Sequence, residues 1–496
     1  MLCKFLQFLK MAIFPIERSE LKLFCKFASL LICVLFNFSA LRTLKDSLII
    51  SAIGAEAISF LKLWLVLPSA VAFTFLYVKL SNSLNLQQIF TLFVLIFISF
   101  FIIFAFVIYP NQHNYHTSPK IIESLIVSWP HCKWFIKLFG KWSYVGLYVL
   151  AEIWGAMIIN LMFWQFANHI FKKQQARRLY PMIGMFGSLG LIFAGKLLSI
   201  FAQVEKLSIS KLSYSKHYDQ MEMAIKLIVS SVSVVGFVAI LLFRNIYSNY
   251  IDHDEQSALL LQGTKTSLTL WQSIKMICHS RYIFYIFLLV ISYGLTINIL
   301  EGPWKAKLSQ LYLEPCDYIM FMGKFNVWMG FSSIIMTIIG GNVLRRFGWR
   351  FAAYITPIMI TTTGTMFFAF VVFGEKIYHL GFDPLYAAVI VGAAQNILSK
   401  SSKYSLFDST KEMTYIPLPL ELRTKGKAAV EIIGAKLGKS LGAFLQFVGF
   451  TIMPDLDFNR ISIFLMIVFI VVALIWLVDV NKLSKEYHRL DNAQNS

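Results

Sequence analysis

The chain has 496 residues, of which 57% are hydrophobic and only 14% are charged, and its mean hydropathy is +0.66. A soluble protein carries about 25% charged residues, so this composition excludes a soluble globular protein and indicates a polytopic membrane protein. The formal net charge of +19 is better explained by basic cytoplasmic loops than by nucleic-acid binding. We therefore expect a lipid bilayer, and no nucleic acid, as the surroundings of this chain.

The N-terminal segment, residues 1–21, is basic and mildly amphipathic, and Lys4 and Lys10 interrupt its apolar runs. No small-residue cleavage site follows these runs, so the segment does not have the pattern of a signal peptide. We expect it to lie at the cytoplasmic interface of the membrane.

Apolar stretches long enough to cross a bilayer recur along the rest of the chain. A membrane-spanning helix needs about 20 predominantly apolar residues, and this criterion predicts an all-α protein with twelve transmembrane helices. The predicted spans are residues 27–52, 62–80, 89–109, 143–169, 182–203, 225–243, 282–304, 319–341, 352–373, 385–402, 428–452 and 461–479.

Basic residues between the spans predict the orientation of the chain. Lys and Arg collect near residues 172–178, 345–350 and 400–427 and in the tail after residue 481, all on one side in a twelve-span count. Because cytoplasmic loops are enriched in Lys and Arg, we place both termini in the cytoplasm. Cys132 and Cys316 fall in loops on the opposite side, which leaves a disulfide between them open.

The spans divide into two similar sets of six. In each set a basic loop leads into a glycine-rich span, and residues 341–350 resemble the loop signature of major facilitator transporters, with Arg345 in place of its acidic residue. Two six-helix halves around a midplane site are a known transporter plan, although glycines also serve close helix packing alone. We predict a major-facilitator-like fold with a cytoplasmic segment 1–21, an N-terminal half 22–243, a cytoplasmic linker 244–281, a C-terminal half 282–480 and a cytoplasmic tail 481–496.

Three charges lie inside the first span. The uncharged stretch 27–41 is too short to cross a membrane, so the helix must continue through Arg42, Lys45 and Asp46. Arg42 and Asp46 are four residues apart on a helix, and we expect them to pair. That pairing leaves Lys45 available for a ligand.

Further charges lie at membrane depth in later spans. Glu152 lies in the fourth span, Glu301 ends the apolar run of the seventh, and Lys439 lies near the middle of the eleventh, one turn beyond Lys436. A charge at bilayer depth costs about 2.5–3.5 kcal/mol, so it usually faces a polar cavity and marks function. Residues 434–440 are one residue too short for a P-loop, and we interpret them as part of an anion-binding transport helix.

Two lysines and two glutamates at comparable depths indicate a cavity with exchangeable ion pairs. A polyanionic substrate that binds Lys45 and Lys439 frees the acidic partners Glu152 and Glu301. Opening of the gate then depends on whether the substrate is bound. The alternative is a set of static ion pairs that lock helices, but buried pairs stabilise little compared with apolar residues. Lysine suits phosphate oxygens, and Trp154 is one of several nearby aromatic residues that can stack on a nucleobase, although packing is the commoner role.

Catalysis and metal binding have little support in the sequence. The nine histidines fall in loops or at span ends, whereas a metal centre needs clustered ligands. No serine–histidine arrangement at depth indicates hydrolysis. We therefore expect no enzyme activity, no metal and no cofactor.

Eight strings carry a resemblance to a known family, and the resemblance runs from about residue 15 to residue 487. They are residues 41–46, 57–64, 77–82, 151–155, 163–168, 301–305, 403–408 and 426–440. Together they resemble the bacterial and plastidic ATP/ADP translocases, twelve-helix carriers related to the major facilitator fold. The resemblance implies a carrier of an obligate intracellular bacterium that sits in the inner membrane and exchanges host ATP for ADP, with phosphate as a further candidate substrate.

The resemblance also implies which charges are essential, and they are the four that membrane depth had already indicated. The expected substrate-binding residues are Lys45, Glu152, Glu301 and Lys439, with Arg42, Lys436, Lys305 and Trp154 beside them. Pro303 and the segment after Lys439 depart from the family pattern and leave the nucleobase open. The alternatives are a carrier of other nucleotides or organic phosphates, including proton-coupled net uptake through Glu152 or Glu301. We expect the carrier to act as a monomer.

Overall fold

The computed structural model of the protein describes residues 16–495 except 210–219, 251–276, 278, 380, 382, 420–425, 428–429 and 431–433. Throughout this part of the chain every regular element is a helix, which confirms the all-α prediction. The long helices are α1 Leu21–Ala52, α2 Ala57–Ser81, α3 Leu86–Ile108, α4 Trp142–Ile170, α5 Lys173–Gly187, α6 Leu189–Ile209, α7 Gln220–Tyr250, α8 Arg281–Leu311, α9 Pro315–Val372, α10 Pro384–Ser402, α11 Ala435–Ile452 and α12 Phe458–Asn495.

These helices do not correspond one to one with the predicted spans. The predicted span 182–203 extends over α5 and α6, whereas α9 contains two predicted spans. Within α9, Gly348 has φ 77° and ψ 178°, a conformation that glycine adopts without a Cβ clash, and it separates those two spans. Nine helices of the described ranges are long and apolar enough to cross a membrane, and the count of twelve spans stays a prediction.

The first helix continues through its charges, as its short apolar stretch predicts. α1 has 32 residues and ends at Ala52, with Arg42, Lys45 and Asp46 inside it. At about 1.5 Å per residue, Arg42 lies about 15 Å from the end of α1. The charged residues of this helix therefore lie within the thickness of a bilayer.

The assignment of residues 403–427 to a loop is wrong for its first part. α10 continues directly through a π-helical segment, Lys403–Phe407, and a further helix, Asp408–Thr414. Lys400, Lys403 and Lys411 consequently lie on a helix and are not loop residues. Basic residues within about 15–20 residues of a span end still indicate the cytoplasmic side, and the orientation stays a prediction.

The helices before residue 250 pack mainly on one another, and so do those after residue 281. α1 contacts α4, α5, α6 and α7, while α8 contacts α10, α11 and α12, and α6 crosses to α9. The predicted division into halves stays a prediction. Part of the predicted linker, residues 251–276, and most of the predicted N-terminal segment lie outside the described residues.

We call the end of the bundle where residues 53–56, 109–141 and 453–457 connect helices the distal end. There, His131 Nδ1 lies 2.8 Å from the carbonyl oxygen of Thr451, and Lys133 donates to the carbonyl oxygen of Pro454 at 3.2 Å. Aromatic rings pack beside these contacts, with Phe60 and Phe447 centroids 4.9 Å apart. The two sets of helices are thus joined across the distal end.

The cysteines 132 and 316 do not form the disulfide that their predicted loops allow. Cys132 is an exposed free thiol, and Cys316 is buried. The disulfide that the sequence left open is therefore not present.

Glycines in α6 and α9 allow the two sets of helices to approach closely. A Cβ on Gly195 would overlap the carbonyl oxygen of Gly323 and lie 2.9 Å from the backbone nitrogen of Val327, whereas a Cβ on Gly184 would have no neighbour within 4 Å. The glycine-rich pattern thus serves helix packing at Gly195. This function does not exclude a transport role for the same helix.

Gly195→Ala is expected to destabilise the protein by about 1–3 kcal/mol, because an added methyl group in a tight contact forces the helices apart. Thermal unfolding in detergent, followed by tryptophan fluorescence, measures the change. Gly184→Ala is the matched control, and it should be neutral or stabilising by up to about 1 kcal/mol through helix propensity. Equal melting temperatures for the two variants would contradict the assigned contact.

Candidate functional site

Nine charged residues of the membrane-spanning helices meet in one place between the two sets of helices. α1, α2 and α4 supply five of them, α8 and α10 supply three more, and α11 supplies one. Arg42, Glu152 and Glu301 each lie ten residues from the distal end of their helix, which corresponds to about 15 Å. We define the charged cluster as Arg42, Lys45, Asp46, Lys62, Glu152, Glu301, Lys305, Lys400 and Lys439.

Part of the cluster is shielded from solvent. Lys45 Nζ lies 2.8 Å from Asp46 Oδ1, and Lys305 Nζ lies 2.8 Å from Asp46 Oδ2. These three side chains are at most 2% exposed, and the Tyr148 ring centroid lies 3.7 Å from Lys45 Nζ. We call Lys45, Asp46 and Lys305 the buried triad, and its Asp46–Lys305 contact joins α1 to α8.

Lys45 also reaches α4. Its Nζ lies 2.8 Å from Glu152 Oε1, and the Glu152 side chain is 29% exposed. The ion pair between Lys45 and Glu152 therefore connects the buried triad to the solvent-accessible side of the cluster. A ligand in that space can reach Glu152 directly but reaches Lys45 only after the side chains rearrange.

Glu301 is shared by four cations from four helices. Its carboxylate lies 2.5 Å from Arg42, 3.1 Å from Lys62, 3.5 Å from Lys305 and 3.9 Å from Lys400. Arg42, Lys62 and Lys400 are 17–25% exposed. These three cations therefore face solvent-accessible space at membrane depth.

Lys439 differs from the other cations of the cluster. Its side chain is exposed, and it has no hydrogen bond or ion pair to the residues that the structure describes. It lies close enough to Glu152, Lys62 and Glu301 for electrostatic interaction. Lys439 thus provides an uncompensated positive charge that faces the accessible side of the cluster.

The balance of charge in the cluster favours an anion. Six cations surround three carboxylates, so the formal excess is three positive charges. Charges at membrane depth persist only where other charges, backbone dipoles or water compensate them. A polyanion of about three negative charges, such as a nucleoside diphosphate, would neutralise this excess.

Several expectations about individual residues need correction. The expected Arg42–Asp46 pair is not formed, since Arg42 contacts Glu301 on α8 while Asp46 contacts Lys45 and Lys305. Lys45 is accordingly not free. Sequence spacing describes neighbours on one helix, and here the nearer partners come from another helix.

Trp154 is not available to stack on a ligand in this conformation. It is fully buried, its indole nitrogen donates to the carbonyl oxygen of Val34 at 3.4 Å, and its ring packs on Phe97 at 5.8 Å. Lys436 belongs to α11, but its side chain lies outside the described part of the structure. The role expected of Lys436 therefore stays a prediction.

Sequence reasoning missed Lys62 and Lys400 as members of the cluster. Lys62 marked the start of a predicted span, yet α2 begins at Ala57 and carries Lys62 within a π-helical segment, Leu61–Val66. Lys400 lies near the end of the predicted span 385–402, where the sequence groups it with the basic cytoplasmic residues 400–427. The signal that could have found Lys62 is its place in the string 57–64, one of those that carry the family resemblance.

Metal chemistry has no support from the described residues. Among them, no group of three or more His, Cys, Asp or Glu side chains is arranged to hold a metal ion.

A small cavity beside the cluster is lined by Ser59, Lys62, Asn298, Glu301 and Gln446, among others. Its lining is suited to hydrogen bonding and charge recognition.

A helical membrane fold with an excess of cations at membrane depth is the arrangement expected of a membrane transporter for anions. The sequence matches the family model of the TLC ATP/ADP transporters over residues 3–487. The chain belongs to this family, and it is a multi-pass membrane transporter.

Relatives of this chain support the same assignment. It is 53% identical to "ADP,ATP carrier protein 3" of Rickettsia conorii over 98% of both chains. It is 41% identical to "ADP,ATP carrier protein 4" of Rickettsia bellii, covering 96% of this chain and 92% of that one. Both relatives are carriers by name, and their match extends over nearly the whole chain.

Solved structures support the fold. A bacterial homologue of the iron transporter ferroportin, in an inward-facing state, matches with a TM-score of 0.59 at 15% identity, covering 95% of this chain and 100% of that one. A POT family transporter matches with a TM-score of 0.53 at 12% identity, covering 93% and 96%. The fold is therefore of the major facilitator type, as predicted.

Proposed function

We propose that this protein exchanges ATP and ADP across a bacterial inner membrane, importing ATP from the host cell. The observation that carries this proposal is the excess of three cations in the charged cluster at membrane depth. Membership of the ATP/ADP transporter family and the names of the Rickettsia relatives support the choice of substrates. Transport in this proposal needs no bound cofactor and no catalytic residue, and one chain suffices.

The position of the contacts supports alternating access. The Asp46–Lys305 and Arg42–Glu301 ion pairs join α1 to α8, while His131 and Lys133 join the distal connections. These contacts hold the two sets of helices together on the distal side of the cluster. Movement to the opposite conformation has to break them, and a bound polyanion offers its own negative charge to the cations that are released.

The orientation of the carrier belongs to the same proposal. Basic residues such as Arg345, Arg346 and Arg350 lie at the end opposite to the distal end, and cytoplasmic segments are enriched in such residues. We place both described chain ends in the cytoplasm and the distal end in the periplasm. The predicted halves 22–243 and 282–480 are the parts that move against each other.

The test is uptake of radiolabelled ATP into proteoliposomes preloaded with ADP. Uptake that requires internal ADP is the expected result, and other nucleoside di- and triphosphates serve as competitors. Stronger competition by GTP, CTP or UTP would keep nucleotide transport and change the base. Uptake without internal nucleotide, driven by a pH gradient, would overturn exchange in favour of proton-coupled import.

A further inference from the structure

Glu301 is coordinated in the way that a phosphate group is coordinated in a binding site. Its two oxygens are approached by a guanidinium from α1, an ammonium from α2, an ammonium from α8 and an ammonium from α10. One carboxylate carries one negative charge, so four cations exceed what it can neutralise. The arrangement is suited to an anion with more charge and more oxygens than a carboxylate has.

The four cations around Glu301 fall into two classes. Lys305 is 2% exposed and is held by Asp46 at 2.8 Å, so it is fixed in the buried triad. Arg42, Lys62 and Lys400 have 17–25% of their side chains exposed, and Glu301 is the carboxylate within 4 Å of each among the described residues. These three cations are both accessible and compensated by Glu301.

We propose that Glu301 and the terminal phosphate of the substrate compete for Arg42, Lys62 and Lys400. In this conformation the carboxylate occupies the place that the phosphate takes, and binding displaces it from these cations. The inference rests on the proposed function and goes beyond it by assigning Lys62 and Lys400 as phosphate-binding residues. It also assigns the exchangeable ion pairs to Glu301 and not to Lys45, because Lys45 belongs to the buried triad and is shielded from the substrate.

The distances indicate which of these cations releases Glu301 first when a phosphate binds. Lys400 lies 3.9 Å from Glu301, outside direct hydrogen-bond distance, whereas Lys62 lies 3.1 Å away and also donates to Asn298 Oδ1 at 3.2 Å. Lys400 therefore retains most of its capacity to bind an incoming oxygen. A phosphate is shared among such point charges more readily than a carboxylate, because it presents more acceptor oxygens.

Competition makes a prediction about affinity that a purely structural role does not make. Glu301→Gln removes the competing negative charge while keeping the shape of the side chain, so the purified protein should bind ADP about tenfold more tightly. Lys62→Gln and Lys400→Gln should each weaken ATP binding about tenfold for the loss of a charged contact. Titration of the detergent-purified full chain with ADP and with ATP measures these dissociation constants.

The control is Lys79→Gln, because Lys79 is exposed on the same helix as Lys62 and has no ion pair within the described part of the chain. It should bind both nucleotides as the unmodified protein does. Lys400→Arg keeps the charge and should restore most of the ATP affinity that Lys400→Gln loses. Thermal unfolding of each variant identifies any that fail to fold. If Glu301→Gln does not fold, the two lysine variants test the proposal by themselves.

The outcomes separate this inference from the proposed function. Weaker ADP binding by folded Glu301→Gln, or unchanged ATP binding by both lysine variants, overturns the competition. If the unmodified protein binds neither ADP nor ATP, the proposed function itself fails. Tighter ADP binding by Glu301→Gln together with weaker ATP binding by Lys400→Gln establishes the competition and the phosphate site.

Discussion

Lys439→Gln is expected to lower ATP uptake into ADP-loaded proteoliposomes at least tenfold. Lys439 is the exposed cation of the cluster, and within the described residues no carboxylate pairs with it. A substrate phosphate is thus its natural partner, and loss of a charged hydrogen bond costs about 1.5–3 kcal/mol, which corresponds to about tenfold or more in affinity. The initial rate of uptake, measured over a range of ATP concentrations, separates weaker binding from slower transport.

The same variant should keep the stability of the unmodified protein, since removal of Lys439 breaks no contact described here. Lys485→Gln is the control, because Lys485 is exposed on α12 far along the chain from the cluster. It should transport normally. Normal ATP uptake by Lys439→Gln would remove Lys439 from the site and leave Arg42, Lys62 and Lys400 as the accessible cations.

Asp46→Asn is expected to destabilise the protein by about 3–5 kcal/mol, because it leaves the buried ammonium groups of Lys45 and Lys305 without their shared carboxylate. Lys45 retains Glu152, but Lys305 keeps only the longer contact with Glu301 at 3.5 Å. A large drop in melting temperature in detergent is the expected observation. Asp455→Asn, at an exposed position, should leave the melting temperature unchanged.

A second substitution tests whether an unpaired charge is the cause. Asp46→Asn combined with Lys305→Met removes both partners, and replacing a buried ion pair by apolar groups is often neutral or stabilising. The double variant should therefore be more stable than Asp46→Asn alone. If the two substitutions simply add their losses, Lys305 does not depend on Asp46 and the buried triad is not the stabilising unit.

The sequence was sufficient to predict the class of fold. Hydropathy alone indicated an all-helical membrane protein, and the shortness of the apolar stretch 27–41 correctly required α1 to continue through Arg42, Lys45 and Asp46. Both conclusions depend on local composition and on the fixed rise of a helix, which are properties of one segment at a time. Such properties can be read from a chain without knowledge of its neighbours.

The partners within the cluster could not be predicted in this way. Spacing along α1 favoured a contact between Arg42 and Asp46, but α8 brings Glu301 and Lys305 nearer to them. The basic residues 400–427 have the composition of a cytoplasmic segment, so the sequence groups Lys400 with them, although the helix continues from α10 to Thr414. Which charge meets which depends on how several helices pack, and single-segment patterns contain no information on that packing.

The contacts at the distal end restrict amino-acid substitution more strongly at one partner than at the other. His131 and Lys133 each hold the carbonyl oxygen of another residue, Thr451 or Pro454, and every amino acid has such an oxygen. Substitutions at 451 and 454 keep the acceptor, whereas most substitutions at 131 and 133 remove the donor. Substitutions at 131 and 133 are therefore expected to be tolerated less well than substitutions at 451 and 454. Of the two segments that meet at the distal end, the 109–141 connection is the more constrained in sequence.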